Sequence, residues 1–404
     1  MITENPMTAL ERRTVASLAL LYSFRMLGLF MVLPLLALYA ADLPGASPAL
    51  IGLALGAYGL TQAILQIPFG WLSDRIGRKP VIIGGLLLFA LGSIVAGMAE
   101  SAYGIIFGRA LQGAGAIAGT LMALVADLTR DEQRTKAMAI VGVSIGMSFA
   151  IALVLGPVVA GQWGLPAVFF LTAVLAVAGI AIVSFGVPRP PKVVMALARS
   201  GPTARSLVQS FRDPALGRLS FGVFVLHFIL MSCFLIVPQL LESVAGVSRE
   251  HHWQVYLPAL VLSIIGMLPL MRMAEKGGRP REMFLFGIGL VLVSVMILGF
   301  APGTLALYFG LWIFFVGFNY LEATLPSLVS KTVAAGDKGS ALGMYSTCQF
   351  LGAFAGGAGG GWVLQYAGVE AVFGMSAALV ALWLYAASRM THMDMLGRSQ
   401  ISEA

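Results

Sequence analysis

Twelve apolar stretches, none shorter than about eighteen residues, leave this chain very few ways to fold. Their limits read Val15–Tyr39, Pro48–Trp71, Val81–Met98, Tyr103–Ala126, Ala137–Ala160, Ala167–Val187, Leu219–Leu241, Trp253–Met271, Met283–Phe300, Thr304–Val329, Ser340–Leu364 and Val369–Ser388. A helix rises about 1.5 Å per residue, so each stretch can cross a hydrocarbon core about 30 Å thick. In water, a chain that is 59 % hydrophobic and 11 % charged could not cover its apolar surface with polar groups. In lipid, a helix satisfies every backbone N–H and C=O internally. The expectation is an all-α membrane protein of twelve spanning helices. Met1–Thr14 is polar and the first apolar run exceeds a signal-peptide core, so no cleaved leader is expected. Cys233 and Cys348 both fall in apolar runs and are expected to be small core residues, not a disulfide or a metal site.

A net charge of +7 could suggest nucleic acid, but the placement of the bases points elsewhere. With the N-terminus inside, 22 of the 25 basic residues fall in the tails or in loops on the cytoplasmic side. The opposite side holds Arg249 alone, and Arg25 and Arg109 lie within helices. The charge orients the chain in a membrane, with both termini cytoplasmic, and nucleic acid is not an expected partner.

The stretch from Pro188 to Arg218 is the longest polar segment and divides the spans six and six. The expected organisation is therefore an N-terminal bundle over 1–187, a basic cytoplasmic linker over 188–217 and a C-terminal bundle over 218–404. Ser206–Arg212 could lie on the membrane surface as a short amphipathic helix. Asp213-Pro214 reads as an N-cap followed by proline at the first helical position. The halves repeat. A shift of 201 residues lays Asp74, Gly77 and Arg78 on Glu275, Gly278 and Arg279, and a shift of 200 lays Gly156 and Gly161 on Gly356 and Gly361. Two-fold internal repeats of this kind build many secondary transporters.

Between the second and third stretches lies a polar knot, Gly70-Trp-Leu-Ser-Asp74-Arg75-Ile-Gly77-Arg78-Lys79, expected to be a short loop. Its sequence resembles the Gly-x-Leu-x-Asp-Arg-x-Gly-Arg-Lys signature of the major facilitator superfamily and matches every fixed position. That resemblance covers the whole chain. It implies two six-helix bundles around a central cavity, alternating access, and a conformational latch on the cytoplasmic face. In the latch, Asp74 would face the helix N-terminus near Gly339-Ser340, where the dipole favours an anion, and Arg78 would pair with Asp127.

Ionisable side chains at membrane depth are costly unless they face a cavity or a partner. Four occur: Arg25, Arg109, His227 and Glu322, in stretches 1, 4, 7 and 10. Counted from the cytoplasmic ends, Arg25, His227 and Glu322 lie roughly 15, 13 and 12 Å deep. They are expected to share one hydrated layer, where a base, an imidazole and a carboxylate could couple proton movement. Tyr22, Gln112 and Asn319 stand three residues from Arg25, Arg109 and Glu322, and are expected to line the same cavity. The competing reading is a buried charge network that only holds the halves together. For His227 alone, a hydrogen bond to a carbonyl is an equally good account.

Arg109-Ala-Leu-Gln112-Gly113 resembles the Arg-x-x-Gln-Gly motif of the drug:proton antiporters in that superfamily. Gly156-Pro157-Val-Val-Ala-Gly161 resembles the end of their fifth-helix signature, with Ala160 replacing a glycine. The glycine run Gly356–Gly361 reads as close helix packing. Two other patterns are decoys. Gly142-Val-Ser144-Ile-Gly146 lacks the strand–turn–helix of a hydrolase elbow, and no strand precedes Gly113-x-Gly115 as a dinucleotide fingerprint requires. No enzyme and no cofactor are expected. The resemblance implies proton-coupled export of amphipathic or drug-like molecules, by a monomer in a bacterial inner membrane. Uptake of a small metabolite by proton symport is the alternative, and a membrane sensor without transport is the alternative of another class. The bacterial subgroup most alike in the first span and the knot usually adds a soluble C-terminal domain. None is expected here, about sixteen residues after the last span.

Overall fold

The computed structural model describes residues 6–188, 213–333 and 338–390. Ser206–Arg212, the expected amphipathic stretch, and most of the linker lie outside them. Among the described residues there is no strand, and ten helices are long and apolar enough to cross a membrane. In chain order the helices are α1 (Ala9–Tyr39), α2 (Pro48–Ile76), α3 (Arg78–Gly97), α4 (Ala102–Ala114), α5 (Ala118–Asp127) and α6 (Asp131–Ala181). A π-helical turn, Ile182–Gly186, closes α6. There follow α7 (Pro214–Ser243), α8 (Trp253–Glu275), α9 (Pro280–Phe300), α10 (Thr304–Thr332) and α11 (Lys338–Ser388).

Two of the ten spans are far longer than a bilayer needs: Glu132–Gly186 with 55 residues and Gly339–Ser388 with 50. Each is interrupted at one glycine, Gly164 (φ 77°, ψ 172°) and Gly368 (φ 83°, ψ −178°). The fifth and sixth apolar stretches thus share α6, and the eleventh and twelfth share α11.

Two sequence expectations need correction. Tyr103–Ala126 is not one helix, because it breaks at Gly115-Ala116-Ile117 between α4 and α5. The cause is a backbone approach. A Cβ on Gly115 would stand 2.2 Å from the Gly85 carbonyl oxygen, so the chain turns where α3 leaves no room for a side chain. The knot is not a loop either. Helix α2 runs on through Gly70–Ile76, α3 begins at Arg78, and Gly77 alone (φ 99°, ψ 153°) makes the reversal. Inside that last turn of α2, Ser73 Oγ donates to the Gly70 carbonyl at 2.6 Å and the Arg75 guanidinium lies 3.4 Å over the Trp71 ring. These contacts keep the polar residues helical.

The internal repeat reappears in the backbone. Gly45 and Gly246 share positive φ, as do Gly77 and Gly278, and each pair is 201 residues apart. Helix α7 begins as its sequence directs: the Asp213 carboxylate accepts from the amides of Ala215 and Leu216, and Pro214 follows it.

The chain forms two compact units, Met1–Leu35 with Thr61–Gly201, and Leu36–Leu60 with Pro202–Ala404. The second unit takes in 36–60, which a division at the linker alone would leave in the first. In the first unit α3 packs on α4 and α6. In the second, α7 lies along α11, and α10 packs on α8 and α9. Helix α7 is apolar all round and buried at every residue from Val225 to Pro238, as a helix without a polar face must be. Gly356 lets α11 reach it, since a Cβ there would come within 2.1 Å of the Phe228 carbonyl.

Candidate functional site

The first unit holds the knot residues. Arg78 is the centre: its Nε donates to Asp127 Oδ2 at 3.0 Å, its Nη1 donates to Ser73 Oγ at 2.6 Å, and the same Nη1 pairs with Asp74 across the break at Gly77. All three charged side chains are between 10 and 18 % exposed, so the guanidinium links the end of α2, the start of α3 and the end of α5 in a largely dry setting. Gly77 allows this by turning the chain in a single residue. Lys79 Nζ donates to the Val187 carbonyl, and Arg75 faces outward on Trp71. The knot is a structural clasp at one end of the unit.

Deeper in the first unit, Arg25 is 1 % exposed. Its Nη2 donates to Gln62 Oε1 of α2 at 2.9 Å, and its guanidinium lies 5.8 Å from the centre of the Phe89 ring. Arg109 is fully buried and donates to Gln112 Oε1 at 2.9 Å. Gln112 passes the chain on, donating to Ser93 Oγ at 2.8 Å, and Ser93 donates to the Phe89 carbonyl at 2.7 Å. The structure therefore joins Arg109 and Gln112, as their i, i+3 spacing suggests, and encloses both within the helix packing. Tyr22 is also buried, at 6 % exposure. Gly156 lets α6 approach the Met31 carbonyl of α1, where a Cβ would stand 2.9 Å away. Pro157 follows it within the helix, and Gly161 is exposed.

The second unit holds His227 on α7 and Glu322 on α10, and the structure brings them together. His227 Nε2 lies 3.9 Å from Glu322 Oε2, too far for a hydrogen bond. Between them reaches Gln349 of α11. Its amide nitrogen is 2.8 Å from His227 Nε2 and 3.2 Å from Glu322 Oε1. On its far side, His227 Nδ1 is 3.2 Å from the Val223 carbonyl. The ring is buried, with Phe318 6.0 Å away, whereas the Glu322 side chain is 36 % exposed. Asn319, one turn before Glu322, donates to Ser263 Oγ of α8 at 2.8 Å. A titratable imidazole and a carboxylate thus meet through one amide, and Glu322 Oε2, the oxygen facing His227, is buried with no hydrogen-bond partner among the described residues.

Gln349 and Gln62 escaped the sequence reading because it counted ionisable residues, and an amide carries no charge. The available signal was an amide within an apolar stretch, where an unsatisfied polar group is costly.

The family model described as Major Facilitator Superfamily matches residues 18–357 and 250–392. The chain is 48 % identical over 385 residues to the inner membrane transport protein YajR of Escherichia coli K12, covering 95 % of this chain and 84 % of that one. It is 29 % identical over 353 residues to the multidrug resistance protein MdtH of Aeromonas salmonicida, covering 85 % of this chain and 86 % of that one. Among solved structures, a bacterial homologue of the human lysosomal transporter Spinster superposes with a TM-score of 0.74 at 16 % identity, over 97 % of this chain and all of that one. That likeness concerns the fold alone. Family match, apolar helices and the 48 % identity to YajR agree: the chain belongs to the Major Facilitator Superfamily and is a multi-pass membrane transporter, not an enzyme.

Proposed function

We propose that the protein is a proton-coupled secondary transporter that exports amphipathic or drug-like molecules by alternating access across a bacterial inner membrane. The observation that carries this is the His227–Gln349–Glu322 cluster, an imidazole and a carboxylate held together inside apolar helices. Ionisable groups placed so deep are expensive and mark proton or substrate pathways. The Glu322 side chain is partly exposed while its Oε2 is buried without a partner among the described residues, a costly placement that a proton or substrate would relieve. Arg25 and Arg109 serve in this reading as fixed positive charges of the first unit. Tyr22, Gln112 and Asn319 are proposed as polar groups that contact substrate during the cycle.

The proposal includes twelve spans. A straight helix of 50 residues would measure about 75 Å, more than twice a hydrocarbon core. The breaks at Gly164 and Gly368 therefore become the turns between the fifth and sixth spans and between the eleventh and twelfth. With the basic residues gathered at one face, both termini are cytoplasmic. The Arg78 clasp then sits on the cytoplasmic side and acts as the latch, its Asp74 and Asp127 contacts changing during the cycle. Relatives named for transport at the inner membrane and for multidrug resistance support the location and the substrate class.

The test is the sign of proton flux in everted membrane vesicles holding an acid interior. Ethidium, added outside, should collapse the gradient as protons leave in exchange. Deepened acidification on addition would favour symport, and an unaltered gradient across a panel of amphipathic cations would refute drug export.

A further inference from the structure

Where α7 begins, α9 begins and α11 ends, the second unit gathers three guanidinium groups, and we propose that they hold the headgroup of an anionic phospholipid. A helix end leaves its last carbonyls without intrahelical donors, and basic side chains can supply them. Arg281, in the first turn of α9, donates from Nε to the Met390 carbonyl at 2.9 Å and from Nη2 to the Ser388 carbonyl at 2.8 Å. Arg218, the fifth residue of α7, places Nη1 3.5 Å from the Arg389 carbonyl. Arg389 folds back along α11, where its Nη2 donates to the Tyr385 hydroxyl at 2.6 Å and its guanidinium lies 4.9 Å from the ring centre. Three arginines from three helices thus meet at the end of α11.

Capping the helix uses few of their donors and none of their charge. A guanidinium carries five N–H groups. Among the described residues Arg281 engages two acceptors, and Arg218 and Arg389 one each. Every one of those acceptors is a neutral oxygen. Arg78, Arg130 and Arg249 are each paired with a carboxylate, whereas none lies within ion-pair distance of these three among the described residues. The acids nearest in sequence do not answer them. Asp213 accepts from the first amides of α7, and Glu282, beside Arg281, is exposed and makes no ion pair among the described residues. A positive charge is left over at a place where three helices end.

Guanidinium forks match phosphate oxygens, and the surface that leads to them is apolar. Ala378, Leu382, Tyr385 and Arg389 are all exposed and stand four, three and four residues apart, so they form one stripe along α11 that ends at a guanidinium. Leu382 is 54 % and Tyr385 58 % exposed. A free anion would use only the end of that stripe. A phospholipid uses all of it, with acyl chain along Leu382, the glycerol region at the Tyr385 ring and phosphate among the arginines. A headgroup without an amine is preferred, because no carboxylate is paired here to receive an ammonium. In the topology proposed above, the lipid belongs to the inner leaflet. Proton coupling plays no part in this site.

The experiment uses the lipid-depleted full chain in a neutral maltoside detergent, titrated with phosphatidylglycerol or phosphatidylethanolamine and read by native mass spectrometry. The wild type should bind a first phosphatidylglycerol about tenfold more tightly than phosphatidylethanolamine. Arg218→Gln and Arg389→Gln should each weaken that site about fivefold, and the double variant about twenty-five-fold, as expected for arginines beside an anionic headgroup. Arg218→Lys and Arg389→Lys keep the charge and should recover most of the loss. Thermal unfolding without lipid reports whether each variant folds, and the lysine variants keep the test open where a glutamine disturbs the helix end. Arg13→Gln removes an exposed arginine of the first unit and should change the affinity by less than about twofold. Equal binding of the two lipids, glutamine variants that bind as the wild type does, or a loss in Arg13→Gln as large as in Arg389→Gln would each overturn the site. Displacement of the lipid by millimolar inorganic phosphate would overturn it too, leaving a site for a free anion.

Discussion

Removing the guanidinium of Arg78 should be the most damaging single change at the clasp. Arg78→Ala leaves the Asp74 and Asp127 carboxylates, 18 and 15 % exposed, facing one another across the space it filled. Breaking a buried pair by removing one partner costs about 3–5 kcal/mol, and the residual exposure here places the cost near the lower end, about 3 kcal/mol. Arg78→Lys keeps the charge but loses the fork that reaches Ser73, Asp74 and Asp127 together, for a cost of about 1–2 kcal/mol. A unit of this size shifts its midpoint by about 2–4 °C per kcal/mol, so Arg78→Ala should unfold about 6–12 °C below wild type. Arg78→Lys should fall between the two. The assay is tryptophan fluorescence of detergent-purified protein during heating, with Arg75→Ala as the comparison, because Arg75 is exposed and loses only its contact with Trp71. That control should move the midpoint by about 1–4 °C, the loss of one exposed cation–π contact worth about 0.5–1 kcal/mol. If Arg78→Ala unfolds with the control, the guanidinium is not what joins α2, α3 and α5.

Other changes test separate links. Gly115→Val should abolish monodisperse protein in size-exclusion chromatography, because its Cβ would strike the Gly85 backbone, whereas Gly84→Ala meets open space and should elute as wild type. Asp213→Ala removes the cap of α7 and should cost about 1 kcal/mol, seen as a fall of about 2–4 °C in the unfolding midpoint. Gly356→Leu should prevent α11 from closing on Phe228 and lower the yield of folded protein, while Gly359→Ala, with nothing within 4 Å, should leave it unchanged.

Helix positions were readable from the sequence because lipid tolerates little else: apolar runs of sufficient length become helices, and Asp213-Pro214 starts α7 as written. What the sequence hid were events of backbone against backbone. Gly115 breaks the fourth stretch only because the Gly85 carbonyl of another helix lies against it, and no local pattern records that contact. The knot resembles a loop because its residues are polar, yet Trp71 and Arg75 are spaced four apart, a helical spacing that polarity masks. At the candidate site, His227 and Glu322 stood out by charge alone. Their meeting on separate helices, and the amide between them, depend on how α7, α10 and α11 pack, which residue spacing along one chain does not specify.

The claim on which the account turns is that Glu322, beside His227, carries the transported proton. The most direct measurement is the charge displaced in proteoliposomes on a solid-supported membrane after a pH jump without substrate, compared between wild type and Glu322→Gln. The account predicts a transient current in the wild type that vanishes in a correctly folded Glu322→Gln protein. A variant current of undiminished size would contradict it.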